Sequence, residues 1–156
     1  MKLLFREDRG SDAFCHYQID SERRLQTEVY EGRIGLEEMR SLAKCVVSDP
    51  KRSVEYHHLI DLRAADLKMT SNDVLRLALM LRQDVHYSKG WRVYVVTTTT
   101  AFGVVRMLTR WARTSERSLI FRTKAEAEAW LASKVIEESE REVGDEAAIA
   151  PLRKIG

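Results

Sequence analysis

The sequence is poor in cysteine, in long apolar runs and in charge of one sign. Only Cys15 and Cys45 occur among its 156 residues. Neither sits in a CxxC or beside a histidine at ligand spacing, which argues against a disulfide framework and against a structural zinc site. One falls in a candidate strand and the other on the apolar face of a candidate helix, so two free, buried thiols are the plain reading, and they suit a reducing compartment. No stretch approaches the roughly 18 apolar residues of a membrane span. The opening MKLLFREDRG has only Leu3, Leu4 and Phe5 before charges resume, too short a run for a secretory signal. The expected location is the cytoplasm. The formal net charge is only +2, so no overall field calls for nucleic acid, although local clusters of arginine remain available.

The motifs of several chemistries are also missing. There is no GxxxxGK[ST], no HExxH, and no Ser-His-Asp or Cys-His arrangement that spacing can support. No second carboxylate stands at fixed spacing for acid–base work. His57 and His58 are adjacent in a strand, which sends their rings to opposite faces and keeps them from clamping one metal. The expectation is a protein that is not an enzyme, with no cofactor and no metal.

What is present fits one ordinary domain. The chain weighs 18.0 kDa, with 44% hydrophobic and 32% charged residues, enough to bury a core under a heavily charged surface. Residues 1–11 read as an N-terminal arm, 12–143 as the domain and 144–156 as a flexible tail beyond Gly144, with Pro151 in it. Phe14–Ile19 alternates with period two, turns at Asp20–Arg23, and alternates again over Leu25–Tyr30, which predicts an antiparallel hairpin. Leu36, Met39, Leu42, Val46 and Val47 share one helical face over 36–48, with Glu37 and Glu38 where the helix dipole favours acid. Asp49-Pro50 stops that helix.

Val54–Leu62 is nearly continuous and apolar at its end, as a strand covered on both faces reads. It is expected to end near Asp61 and Arg63, with a connection over 63–69. A helix follows from Thr70 or Ser71 to Val85, and Leu75, Leu79 and Met80 widen its apolar stripe. Trp91–Thr98 is a second interior strand, Ala101–Thr114 a helix, Arg117–Arg122 a short strand, and Thr123 or Lys124 opens a last helix to Glu142. The order is β-β-α-β-α-β-α-β-α. After the hairpin, strand and helix alternate strictly, which predicts a single α/β domain with a mixed, mostly parallel sheet and an antiparallel N-terminal hairpin.

This succession, with a strand ending in LIDLR and a last helix carrying KAEAEAWL, resembles the SpoIIAA-like branch of the STAS family, named for sulphate transporters and anti-sigma-factor antagonists. The resemblance spans about Phe14 to Leu131. It implies a non-catalytic switch or protein-binding module, and related lipid-transfer domains imply binding of apolar ligands as the alternative. In anti-sigma-factor antagonists a phosphorylatable serine opens the helix after the central strand, within Asp-Ser-Ser-Gly. The matching segment here is Met69-Thr70-Ser71-Asn72-Asp73. It lacks the glycine and the order, so Thr70 and Ser71 are positional candidates only.

In an open α/β sheet, ligands gather where strands end and helices begin. Asp61–Ser71, Thr97–Ala101 and Arg122–Lys124 should converge there. Asp61 either accepts loop amides or pairs with an arginine such as Arg63, or it positions a ligand. Thr98, Thr99 and Thr100 either cap a helix or cradle an anion. Thr70 and Ser71 are caps or phospho-acceptors, and Asp73 in the first turn opposes a phosphate. Arg106, Arg110 and Arg113 fall together on one side of their helix. They form either a solvated basic face or a docking strip for an acidic partner, a phosphate or an anionic lipid. RNA is disfavoured because that face lacks interleaved stacking aromatics. Two readings stand: a regulatory or protein-interaction module with a protein partner or self-association, and a binder of a small apolar or anionic ligand at the strand ends.

Overall fold

The computed structural model describes residues 2–3, 12–83 and 89–149. Six strands form one sheet in the order of the chain: β1 (Lys2–Leu3), β2 (Phe14–Asp20), β3 (Leu25–Ile34), β4 (His57–Leu67), β5 (Arg92–Val95) and β6 (Ser118–Phe121). β1, β2 and β3 run antiparallel to one another, and β3 to β6 are parallel. Helices α1 (Leu36–Val47), α2 (Ser71–Gln83), α3 (Thr99–Trp111) and α4 (Lys124–Ile149) make the connections and the C-terminal cover. The mixed, mostly parallel α/β domain expected from the alternation is the observed one.

The two faces of the sheet carry different cores. Cys15, Tyr17, Tyr30, Ile60, Leu62, Tyr94 and Val96 pack with α1, α2 and α3. Leu25, Leu59, Val93 and Val95 pack with Ala127 and Leu131 of α4, with Trp91, Phe121 and Trp130 at the margin. The alternation of strand side chains thus sorts the sequence into two layers. His57 and His58 go to opposite faces: His57 lies 3.3 Å from Glu138 of α4, and His58 faces the other layer.

Three expectations about boundaries differ from the structure. β4 does not end at Asp61 and Arg63 but runs to Leu67, and the expected connection over 63–69 is mostly strand. The cause is a bulge. Val29 stands opposite Asp61 and Glu31 opposite Ala64, so β4 carries one residue more than β3 between them. That extra residue keeps Leu62, Ala65 and Leu67 inward, where strict alternation would have turned Ala64 and Asp66 to the core. α3 ends at Trp111, and Arg113 lies beyond its C-cap with a left-handed φ of 58°. α4 passes through Gly144 to Ile149 instead of breaking there. The expected helix end at Val85, the arm beyond Leu3 and the tail beyond Ile149 lie outside the described residues.

Candidate functional site

Of the expected strand-end edge, Asp61 lies beside the ends of β5 and β6, while Ser71 lies beyond the extension of β4 to Leu67. Asp61, Val95 and Phe121 share one row across β4, β5 and β6, which brings the turn at Thr97–Thr100 and the turn at Arg122–Lys124 beside Asp61. The Thr97 hydroxyl donates to the Arg63 carbonyl oxygen at 3.4 Å. The polar groups here largely satisfy one another. Asp61, 5% exposed, accepts from the Arg63 backbone N at 3.1 Å, from its Nε at 2.9 Å and from its Nη2 at 2.8 Å. Burial opposes the charge, but the hydrogen bonds and charge of Arg63, with the charge of Lys124, hold the Asp61 carboxyl below its ordinary range. Thr98 is the N-cap of α3, its hydroxyl accepting from the Ala101 N at 3.1 Å, while Thr99 and Thr100 are exposed in the first turn.

Thr70 and Ser71 stand at the start of α2. The Thr70 hydroxyl accepts from the Asp73 N at 3.2 Å, and the Asp73 carboxylate accepts from the Thr70 N at 2.9 Å. This is a reciprocal capping box, which occupies Thr70. Ser71 is exposed.

The arginine strip resolves into a groove. Arg106 and Arg110 line an open depression of about 750 Å³ between α3 and β6, together with Phe102, Trp111, Ser118 and Ile120. Phe102 is 42% and Trp111 36% exposed. The Arg106 guanidinium lies over the Phe102 ring, 5.7 Å from its centre. No carboxylate lines the groove, and among the described residues neither arginine is in an ion pair. Arg113, expected on the same strip, is not part of this lining: α3 has already ended at its C-cap. Trp111, in the last turn of α3, stands at the groove.

A second constellation escaped sequence reasoning. Gln26, His58 and Arg92 form a row across β3, β4 and β5 at the N-terminal ends of the parallel strands, opposite to the edge where ligands were expected. All three are buried, with Glu28 one step along β3. The Gln26 Nε2 donates to Glu28 at 2.7 Å and approaches the His58 Nδ1 at 3.3 Å. The Tyr30 hydroxyl donates to Glu28 at 2.9 Å, and the Arg92 Nε donates to the Tyr94 hydroxyl at 3.4 Å. Burial opposes the Glu28 charge, but neighbouring His58, the Arg92 guanidinium and the Tyr30 hydroxyl outweigh it and hold the carboxyl below its usual range. Burial also pushes the His58 pKa down, against the opposing pull of Glu28. The signal was available: polar side chains at Gln26, Glu28 and Arg92 share the inward parity of apolar neighbours. Paired strands, not single ones, reveal that they meet.

No protein-family model matches the chain, and no curated protein matches it. Among solved structures it is similar to an uncharacterised protein of the DUF3478 family from Shewanella loihica PV-4, which has a SpoIIAA-like fold. The two are 16% identical with a TM-score of 0.51, over 76% of this chain and 94% of the other. At that identity the likeness speaks for the fold, which is SpoIIAA-like, as the LIDLR strand and the KAEAEAWL helix had suggested. Among the described residues no helix is long and apolar enough to cross a membrane.

Proposed function

We propose that this SpoIIAA-like domain is a non-catalytic interaction module, and that the α3–β6 groove is where its protein partner docks. The observation that carries the reading is the composition of the groove: two arginines without acidic partners, flanked by two exposed aromatic rings. Arginine and aromatic side chains are the residues that dominate interface energetics. β6 is the last strand of the sheet among the described residues, so its outer backbone groups are available to an added strand. An extended segment with alternating acidic and apolar side chains would satisfy both features. Its backbone would pair with β6, its acids would meet Arg106 and Arg110, and its apolar side chains would rest on Phe102, Trp111 and Ile120.

The strand-end edge supports this reading less, because Asp61, Arg63 and Thr98 are engaged with one another or with the backbone. A phosphate on Thr70 or Ser71 would meet the Asp73 carboxylate, which opposes phosphorylation there.

The test is titration of the protein with an extended peptide alternating glutamate and valine, against its lysine–valine counterpart. The acidic peptide is expected to bind with an affinity that falls as salt rises. The double variant Arg106→Glu, Arg110→Glu should lose about tenfold or more of that affinity, the scale of one or two charge-assisted contacts, with an unchanged melting temperature. Equal binding by the double variant, or equal binding of the basic peptide, would refute the groove as the docking site.

A further inference from the structure

Two helix faces on opposite sides of the sheet expose large apolar side chains. On α2 these are Leu75 and Leu79, 41% and 42% exposed. Both stand about 160° around the helix from the buried Leu77. On α4 they are Ile136 and Val143, 59% and 68% exposed. They lie on the side away from Ala127 and Leu131, which meet the sheet. The later turns of α4 are tied to the body by Glu138 at His57, 3.3 Å, and by Glu142 at Arg24, 3.1 Å. These contacts fix the outward direction of Ile136 and Val143.

The two faces carry opposite charge. Arg76 and Arg82 bracket the leucines of α2, and among the described residues neither is in an ion pair. The acid of α2, Asp73, is engaged by the Thr70 amide. On α4, Glu140 stands one turn from both Ile136 and Val143, with Glu137 beside it. Glu137 reaches Lys134 of its own helix at 2.7 Å, and Glu140 is in no ion pair among the described residues. Lys134 and Arg141 fall roughly 150° around the helix from Ile136, off this face. Like faces therefore repel: α2 on α2 sets arginine against arginine, and α4 on α4 sets glutamate against glutamate. Unlike faces attract, and their contact covers both apolar pairs. The spacing agrees. Ile136 and Val143 are two turns apart, about 10 Å along the axis. Between them lies the small Ser139, whose hydroxyl already donates to the Val135 carbonyl oxygen at 2.9 Å. Two leucines one turn apart fit into that gap.

From this complementarity we infer that the chain associates with itself head to tail: the outer face of α2 in one copy takes the outer face of α4 in the next. Leu75 and Leu79 sit between Ile136 and Val143, and Arg76 and Arg82 meet Glu137 and Glu140. α2 and α4 cover opposite faces of one sheet, so two copies cannot satisfy both faces at once. The assembly grows with concentration instead of stopping at a two-fold dimer. Neither face includes a residue of the α3–β6 groove, and the failure of this inference would leave the docking reading standing.

The test is sedimentation velocity on the full chain over a range of concentrations. The natural protein is expected to sediment faster as concentration rises and to return toward the monomer as salt is raised. The variant Arg76→Glu, Arg82→Glu and the variant Glu137→Lys, Glu140→Lys should each associate about tenfold or more weakly, because each sets like charges together. Mixed one to one, the two variants should regain association. The acidic α4 of the first then meets the basic α2 of the second, and the basic α4 of the second meets the acidic α2 of the first. All four positions are exposed, so melting temperatures should hold. A natural chain that stays monomeric at every concentration would overturn the inference, and so would association that ignores salt. Undiminished association of either variant alone, or no recovery in a mixture of the folded variants, would overturn it as well.

Discussion

Asp61 and Arg63 illustrate how one bulged residue pair settles a buried charge. Both carboxylate oxygens of Asp61 are taken by the Arg63 side chain, which itself remains 43% exposed. Arg63→Ala would leave the carboxylate nearly buried with only a backbone donor. The expected loss is about 1–3 kcal/mol of stability, the cost of an under-satisfied buried polar group, read as a lower urea midpoint with an unchanged slope. The two histidines set the response to acid. Burial lowers the pKa of both His57 and His58 in the fold, against the pull of Glu138 and Glu28 respectively. The unfolded chain therefore binds their protons first. Their contribution is fully present above the unfolded value of about 6.5 and declines as pH falls below it toward the folded values. Asp61, held below its ordinary range, adds a further loss only at more acidic pH, as its own folded value is approached. Urea unfolding at a series of pH values should show stability flat just above neutrality and falling on the acid side of about 6.5. Stability that rises as pH drops through that range would show that these histidines are not buried neutral.

Among the elements, the helices were the most legible. α1 was expected over 36–48 and found at Leu36–Val47, because its apolar stripe, its acidic first turn and Asp49-Pro50 all agree. The β2–β3 hairpin was equally plain from its period of two. β4 was misjudged at its far end, since the bulge breaks the alternation at Arg63-Ala64, and a single strand read in isolation gives no sign that its neighbour continues alongside. Arg113 was assigned to a helix face because 100° spacing continues past Trp111 on paper. In the structure Ala112 caps the helix and the chain turns left-handed. The threonine run shows the value of a cap: Thr98→Ala removes the acceptor for the Ala101 N and should cost about 1 kcal/mol, visible as a drop in melting temperature. The groove was half legible, since the arginine spacing was visible but the proximity of β6 was not. The interior polar row was legible only as polar residues at inward positions, because it joins single residues from three strands whose pairing the sequence does not show.

At the scale of the whole molecule the sheet divides labour. One face is sealed by α4 over Leu59, Val93 and Val95, with Trp130 packed edge-on against Trp91 at 4.9 Å. The other face carries three helices, a void under α2 and, at its β6 margin, a strand only half covered. An interaction module needs a rigid body and an accessible edge, and these lie on opposite flanks of one sheet. The α3–β6 groove also lies away from the capping box of α2, so changes at Thr70 or Ser71 should leave peptide affinity within about twofold, as expected for sites that share no partners.

The central claim is that a partner adds to β6 along α3. Hydrogen exchange in the presence of the glutamate–valine peptide tests it most directly. If the segment docks as a strand, amides in Ser118–Phe121 that do not bond to β5 gain partners, and exchange there slows on binding, while α2 and β2 are unaffected. Unchanged exchange across Ser118–Phe121 under saturating peptide, or protection confined to another element, would contradict the account.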